Sequence, residues 1–252
     1  VPIEYASLLR PSALIYHRLV EEMDASMIWM PGTHLARGLA YEYAENKKLL
    51  KVAHDFENDI VTAARNIGKR YAVGKQHIMN MDMTATAIFD AMKKVHGMGN
   101  RERLLLRLAV MLHGVGKYIS LNFVAENSYN IIMSNEIIGL SHSEREMIAL
   151  IARFNTDWFP PYEVLVRESS IDERQYLILA ELTAIIRYTN ALDRSHLQKI
   201  QAIRASLKDQ ELILNLTVNR DFSLEQGLIG DKAEFFNEVF SIRPVLKVKR
   251  QM

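Results

Sequence analysis

Cysteine is absent from the 252 residues, so disulfides and thiolate metal sites are both excluded, and the cytoplasm is the expected compartment. Long apolar runs are lacking too. None approaches the ~20 residues of a membrane span, and no secretory leader is visible. Charge of one sign is missing: 31 Lys and Arg stand against 30 Asp and Glu, a net charge of +1 that gives no global field toward nucleic acid or a membrane. Gly-rich phosphate signatures are absent. AVGKQH holds a Gly-Lys pair without P-loop spacing, and there is no G-x-G-x-x-G, G-x-S-x-G or HEXXH. Met is missing at position 1, where the chain opens on VPIEYASLL, the expected mark of a fragment of a longer protein.

What remains is ordinary globular composition, 49% hydrophobic and 24% charged. RPSALIYHRLVEEM puts Pro11 near a helix start, with Leu14, Ile15, Leu19 and Met23 at helical spacing. SMIWMPG (residues 26–32) reads as a buried strand ending in a Pro-Gly turn, after which Thr33 can cap LARGLAYEYAENK. KKLLKVAHDFENDIVTAARNIGKRY (residues 47–71) is one long amphipathic stretch.

GKQHIMNMDMTATAIFDAMKKV follows, with His77, Met81, Thr84 and Ile88 on one face and Gly97 and Gly99 ending it. RERLLLRLAVMLHGVG is apolar on most sides and belongs in the core. SYNIIMSNEI and SEREMIALIARF are further helices, the second opened by Ser141 and Glu144 at capping-box spacing. NTDWFPPYEVLVRESS is a loop, and DERQYLILAELTAIIRYTNALDRSH one long buried helix. From about Leu197 the pattern changes: KIQAIRASL and ELILNLTV are strands around the turn LKDQ, followed by the helix DKAEFFNEVFSI and a last strand, RPVLKVK. The expected architecture is mainly α: a short α/β piece (residues 1–45), a helical bundle (46–196) and a small β-β-α-β element (197–252).

Three residues stand out as candidate metal ligands: His77, His113 and Asp193. A His–His/Asp–Asp set on packed helices can hold a divalent ion and activate water against phosphorus. Here Gly114 stands where a fourth ligand would be, and the nearest polar substitutes are Asp82 and Asn80. The plainer reading makes His113 a core histidine bonded to a backbone carbonyl, His77 a cap-region residue, and Asp193 a partner for Arg194 or a helix-end contact. Lys75, His77, Lys117, Arg153, Arg187, Arg194 and Lys199 fall near the ends of helices that should pack together. Such a stripe suits a linear polyanion, whereas a solvated surface with balancing carboxylates is the plain alternative.

RERLLLRLAVMLHGVGKYIS, NSYNIIMSNEIIGLSHSEREMIALIARF and RYTNALDRSH, in that order, resemble the C-terminal helical domain of the exopolyphosphatase/guanosine pentaphosphate phosphohydrolase family (Ppx/GppA), itself related to the HD metallophosphohydrolases. The front piece, RPSALIYHRLVEEMDASMIWMPGTHLARGLAYEYA, is similar to the end of that family's second actin-like domain. The resemblance implies that phosphatase chemistry, with its Mg²⁺, belongs to actin-like domains of which only a tail is here. It implies a role for this chain in binding polyphosphate and in forming a homodimer. His77, His113 and Asp193 match three HD positions, Gly114 departs from the fourth, and VAENSYN (residues 124–130) replaces a His-rich turn.

Three functions are therefore expected in order. The first is a binding and assembly module without a cofactor of its own, whose partners are inorganic polyphosphate or a guanosine polyphosphate and its own N-terminal domains. The second is a residual HD phosphohydrolase holding a divalent metal and acting on a guanosine polyphosphate, with Lys117 or Arg194 meeting the phosphate. The third is a purely structural dimerisation domain.

Overall fold

The computed structural model describes residues 3–28, 32, 34–50 and 54–250. The chain divides into two compact units, residues 1–54 and 55–252.

In the first unit a 3₁₀ turn (Ile3–Tyr5) leads into α1 (Ala6–Glu22), and α2 spans Leu35–Asn46. Pro11 lies inside α1 rather than at its start, so the Ser7 carbonyl has no helical N–H to accept. The apolar spacing of α1 is real, yet none of its residues is buried: Leu14, Ile15, Leu19 and Met23 are all exposed. Of the expected strand, residues 26–28 and 32 are irregular and the remainder lies outside the described residues, as does Thr33. Residue 34 takes the N-cap position of α2.

The second unit begins with α3 (Phe56–Arg70), shorter than the 47–71 stretch because residues 47–50 turn and Asp55 caps the helix by accepting from the Asn58 N–H at 3.0 Å. Then come α4 (Lys75–Ala91), α5 (Lys93–His96), α6 (Asn100–Leu112), α7 (Val124–Ser134), α8 (His142–Phe154), the short α9 (Tyr162–Leu165) and α10 (Glu173–Leu192). Gly97, at φ +64°, closes α5, while Gly99 opens α6 instead of ending its predecessor. The Ser141–Glu144 capping box forms as its spacing predicts, and Asp172 with Gln175 makes a second one on α10. His77, Met81, Thr84 and Ile88 all point inward from α4.

Eight of the thirteen α6 residues are buried, and the helix packs against α3, α4, α8 and α10 at the centre of the bundle. Each fully buried Leu of α6 contributes ~1.5–3 kcal/mol.

The chain ends in β1 (Ile200–Lys208), β2 (Glu211–Val218), α11 (Ser223–Leu228), α12 (Gly230–Phe240) and β3 (Arg243–Arg250). Asp209 and Gln210 both take positive φ, the twist a two-residue hairpin needs. The sheet order is β1-β2-β3, antiparallel in the hairpin and parallel between β2 and β3, with α11 and α12 as the crossover. Leu212, Leu214, Leu216 and Val218 are buried and join the same apolar core as the helices. The fold is thus mainly α, with one small sheet.

Candidate functional site

His77 is the third residue of α4 and is 5% exposed, so it is a core residue rather than a cap. Its Nδ1 lies 2.6 Å from Asp193 Oδ2, a contact that ties the start of α4 to the end of α10. The Asp193 carboxylate uses its other oxygen to accept the Gln198 N–H at 2.9 Å, which closes the turn after α10. That turn holds His196 and Gln198 at positive φ. With Nδ1 facing the Asp193 carboxylate, the other ring nitrogen, Nε2, points away from that contact. That atom is buried and has no partner among the described residues.

His113 directly follows α6. Its Nδ1 sits 2.8 Å from the Val110 carbonyl, the backbone contact expected of a core histidine. Burial first, then His77 and Lys117, push its pKa down to about 3. The His77 ring lies 5.6 Å from the His113 ring and stacks on His196 at 3.9 Å. Loss of solvent, then His77 and Lys117, hold His196 down at about 4.

The HGVGK segment places these groups. Gly116 is forced: a Cβ there would lie 2.3 Å from the Val124 carbonyl and 2.6 Å from the Ser128 nitrogen. Ser128 Oγ accepts the Gly116 N–H at 3.0 Å and donates to the His113 carbonyl at 2.9 Å. So VAENSYN, within α7, serves as the clamp on this turn. Gly114 is different: a Cβ there would touch only Val73, at 3.6 Å, an ordinary contact.

His77, His113, Gly114, Lys117, Tyr118 and His196 line a cleft of about 190 Å³. It shares His113, Lys117 and His196 with a second cleft of about 330 Å³, which adds Arg194, Asn190, Glu126 and Asp157. A third, of about 300 Å³, shares Arg194 and Asn190 with the second and adds Arg187 and Lys232. Neither Lys117 nor Arg194 forms an ion pair among the described residues. Burial and then the nearby Arg194 charge lower the Lys117 pKa.

The other expected cations scatter. Lys75 lines a neighbouring cleft that meets the first at Ala72 and Val73. Arg187 is buried and gives its guanidinium to the carbonyls of Phe154, at 2.6 Å, and Asp157. Arg153 lines a separate hollow and approaches Asp157 at 3.8 Å. Lys199 is buried against Glu225 at 2.8 Å, so it is neutralised. His196, Asn190 and Lys232 escaped the sequence reading. Only the spacing DRSH, three residues after Asp193, could have pointed to His196.

Asp82 and Asn80, the polar substitutes considered for a fourth ligand, are spent elsewhere. Asp82 takes both arms of the Arg107 guanidinium, and Asn80 donates to the Ile200 carbonyl at 2.7 Å. Both Asp193 oxygens are occupied. Among the described residues no group of three His, Asp or Glu side chains is placed to hold a metal ion. Two imidazole nitrogens without a free carboxylate oxygen do not fit a divalent ion that activates water.

The fold and cleft define a helical bundle with a small appended sheet and a cationic, His-lined groove at the helix ends. Residues 61–234 match the family model for the Ppx/GppA phosphatase, domain III, and the chain belongs to the Ppx/GppA phosphatase family. No curated protein matches it. Among the described residues no helix is long and apolar enough to cross a membrane.

Proposed function

We propose that this chain is a binding and assembly module of an exopolyphosphatase-type protein, one that holds a phosphate chain for chemistry done by other domains. The observation that carries the reading is the pair Lys117 and Arg194. They come from different segments, face one groove, and form no ion pair among the described residues. A phosphate chain would supply the missing negative charge and gain forked contacts at Arg194. Glu126 and Asp157 on the same groove limit affinity, so binding should be weak and salt-sensitive. The test is titration of long-chain polyphosphate at low salt into wild type and into Lys117→Ala/Arg194→Ala. Binding that weakens at least tenfold in the double variant supports the reading, and equal binding by both, or none by wild type, removes it.

Assembly is the other half. The apolar residues exposed on α1 offer a surface for a second copy, and a strictly monomeric sedimentation profile would count against it.

The rival reading is a residual metal phosphohydrolase acting on a guanosine polyphosphate. The orphaned Nε2 of His77 favours it, because metal-bound histidines commonly give their other N–H to a carboxylate. Elemental analysis of wild type beside His113→Ala decides it: stoichiometric metal lost in the variant would revive the enzyme.

A further inference from the structure

The outer face of the sheet carries an excess of positive charge. Inward positions of β2 are buried, so its residues 211, 213, 215 and 217 and their cross-strand partners face away from the core. The registers place Arg204, Asn215 and Lys247 in one row, and Thr217 beside Lys249 in the next. At the hairpin end Lys208, Glu211 and Arg243 form another. Arg204, Lys208, Arg243, Lys247 and Lys249 are all exposed. None of them forms an ion pair among the described residues. Glu211 is the one acidic side chain on the face. A protein of net charge +1 thus concentrates five cations and one anion on one face of three strands.

We infer that this face is a second contact surface for polyphosphate, separate from the histidine groove. The inference rests on the polyphosphate reading of the chain. The cations sit on the two outer strands, about 10 Å apart at the ~4.8 Å strand spacing, with neutral Asn215 and Thr217 between them. The row between, Ser206, Ile213 and Val245, is uncharged, so cations flank a strip that is uncharged except for Glu211 at the hairpin end, and it suits a ligand that is itself a line of negative charges. Nucleic acid fits less well. Sheets that bind single strands stack bases on aromatic side chains, and none of the outward positions is aromatic. A base-free phosphate polymer needs only the charge. The same Lys and Arg side chains would also serve to keep sheet edges from pairing with other molecules, and the experiment separates the two roles.

The test uses the full chain with two phosphate probes, tripolyphosphate and long-chain polyphosphate, at low and moderate salt. Three proteins are compared: wild type, the sheet variant Arg204→Gln/Lys247→Gln/Lys249→Gln, and the groove variant Lys117→Ala/Arg194→Ala. The sheet variant should bind tripolyphosphate as wild type does, lose at least tenfold in affinity for the long chain, and show a shallower salt dependence. Long-chain affinity unchanged in the sheet variant would overturn the inference and leave the cations as edge protection. Failure of wild type to bind either phosphate would overturn the parent reading instead. A uridine oligonucleotide of matched charge is the final arm. Tighter, sheet-dependent binding of the oligonucleotide than of polyphosphate would overturn the choice of ligand.

Discussion

Gly116 and Ser128 are locked together: the serine hydroxyl accepts the glycine N–H at 3.0 Å, and a Cβ on the glycine would sit 2.6 Å from the Ser128 nitrogen. The turn carrying His113 and Lys117 depends on that approach. Gly116→Ala must push α7 away and is expected to cost roughly 1–3 kcal/mol or more. Ser128→Ala leaves a buried N–H and a buried carbonyl unsatisfied and should cost about 1–3 kcal/mol. Urea unfolding of both variants checks the order, and a Gly116→Ala protein as stable as wild type would contradict the contact.

Gly114 invites the opposite experiment. Its φ of −99° suits any residue, and the space beside Val73 is open. Gly114→Asp is expected to fold with a stability change within ~1 kcal/mol. It also adds a carboxylate to the cleft of His77 and His113. Zinc or manganese titration should then show binding that wild type lacks or shows more weakly. No gain in metal affinity would mean that the occupied Asp193 carboxylate, rather than position 114, limits the site.

A buried ion pair fastens α11 to the start of β1. Lys199 Nζ lies 2.8 Å from Glu225 Oε2, and Ser195 Oγ donates to the other oxygen at 2.6 Å. Lys199→Met leaves a buried, unpaired carboxylate and should destabilise by roughly 3–5 kcal/mol. Adding Glu225→Gln should recover part of that loss. A double variant no better than the single one would show that the lysine acts by packing alone.

Glu181 makes stability depend on pH. It is half-buried on α10 with no partner among the described residues, and burial raises its pKa to about 7. The raised value favours the protonated form in the fold. Its contribution is therefore complete below the ordinary value of 4.5 and is lost as pH rises through 7. Glu181→Gln stays neutral, so its unfolding midpoint should match wild type at pH 4 and exceed it at pH 8. Equal midpoints at both pH values would remove the effect.

Local signals were legible. Ser141 and Glu144 are three residues apart, and their box forms because both partners lie within one helical turn. The bond from His113 to Val110 is equally local, as is the hairpin at Asp209 and Gln210. Distant relationships were not. His77 and Asp193 are 116 residues apart, and their contact follows from how α4 and α10 cross, which no spacing encodes. Lys199 read as a surface cation because its neutralising partner, Glu225, sits on α11, a six-residue helix too short for a periodic signal. Pro11 misled in the other direction, since a proline signal marks the start of a helix more often than its interior. The exposure of α1 could not be read from its pattern either, because an apolar stripe says which side seeks a partner and not whether it has one.

The parallel pairing of β3 with β2 has a consequence for how the chain is made. β1 and β2 meet through a two-residue turn, but β3 must wait until α11 and α12 have emerged and packed. A nascent chain, or one cut before Arg243, displays the free edge of β2. Cleavage there would yield a species prone to recruiting strands from its neighbours, so β3 acts as the molecule's own guard against clumping.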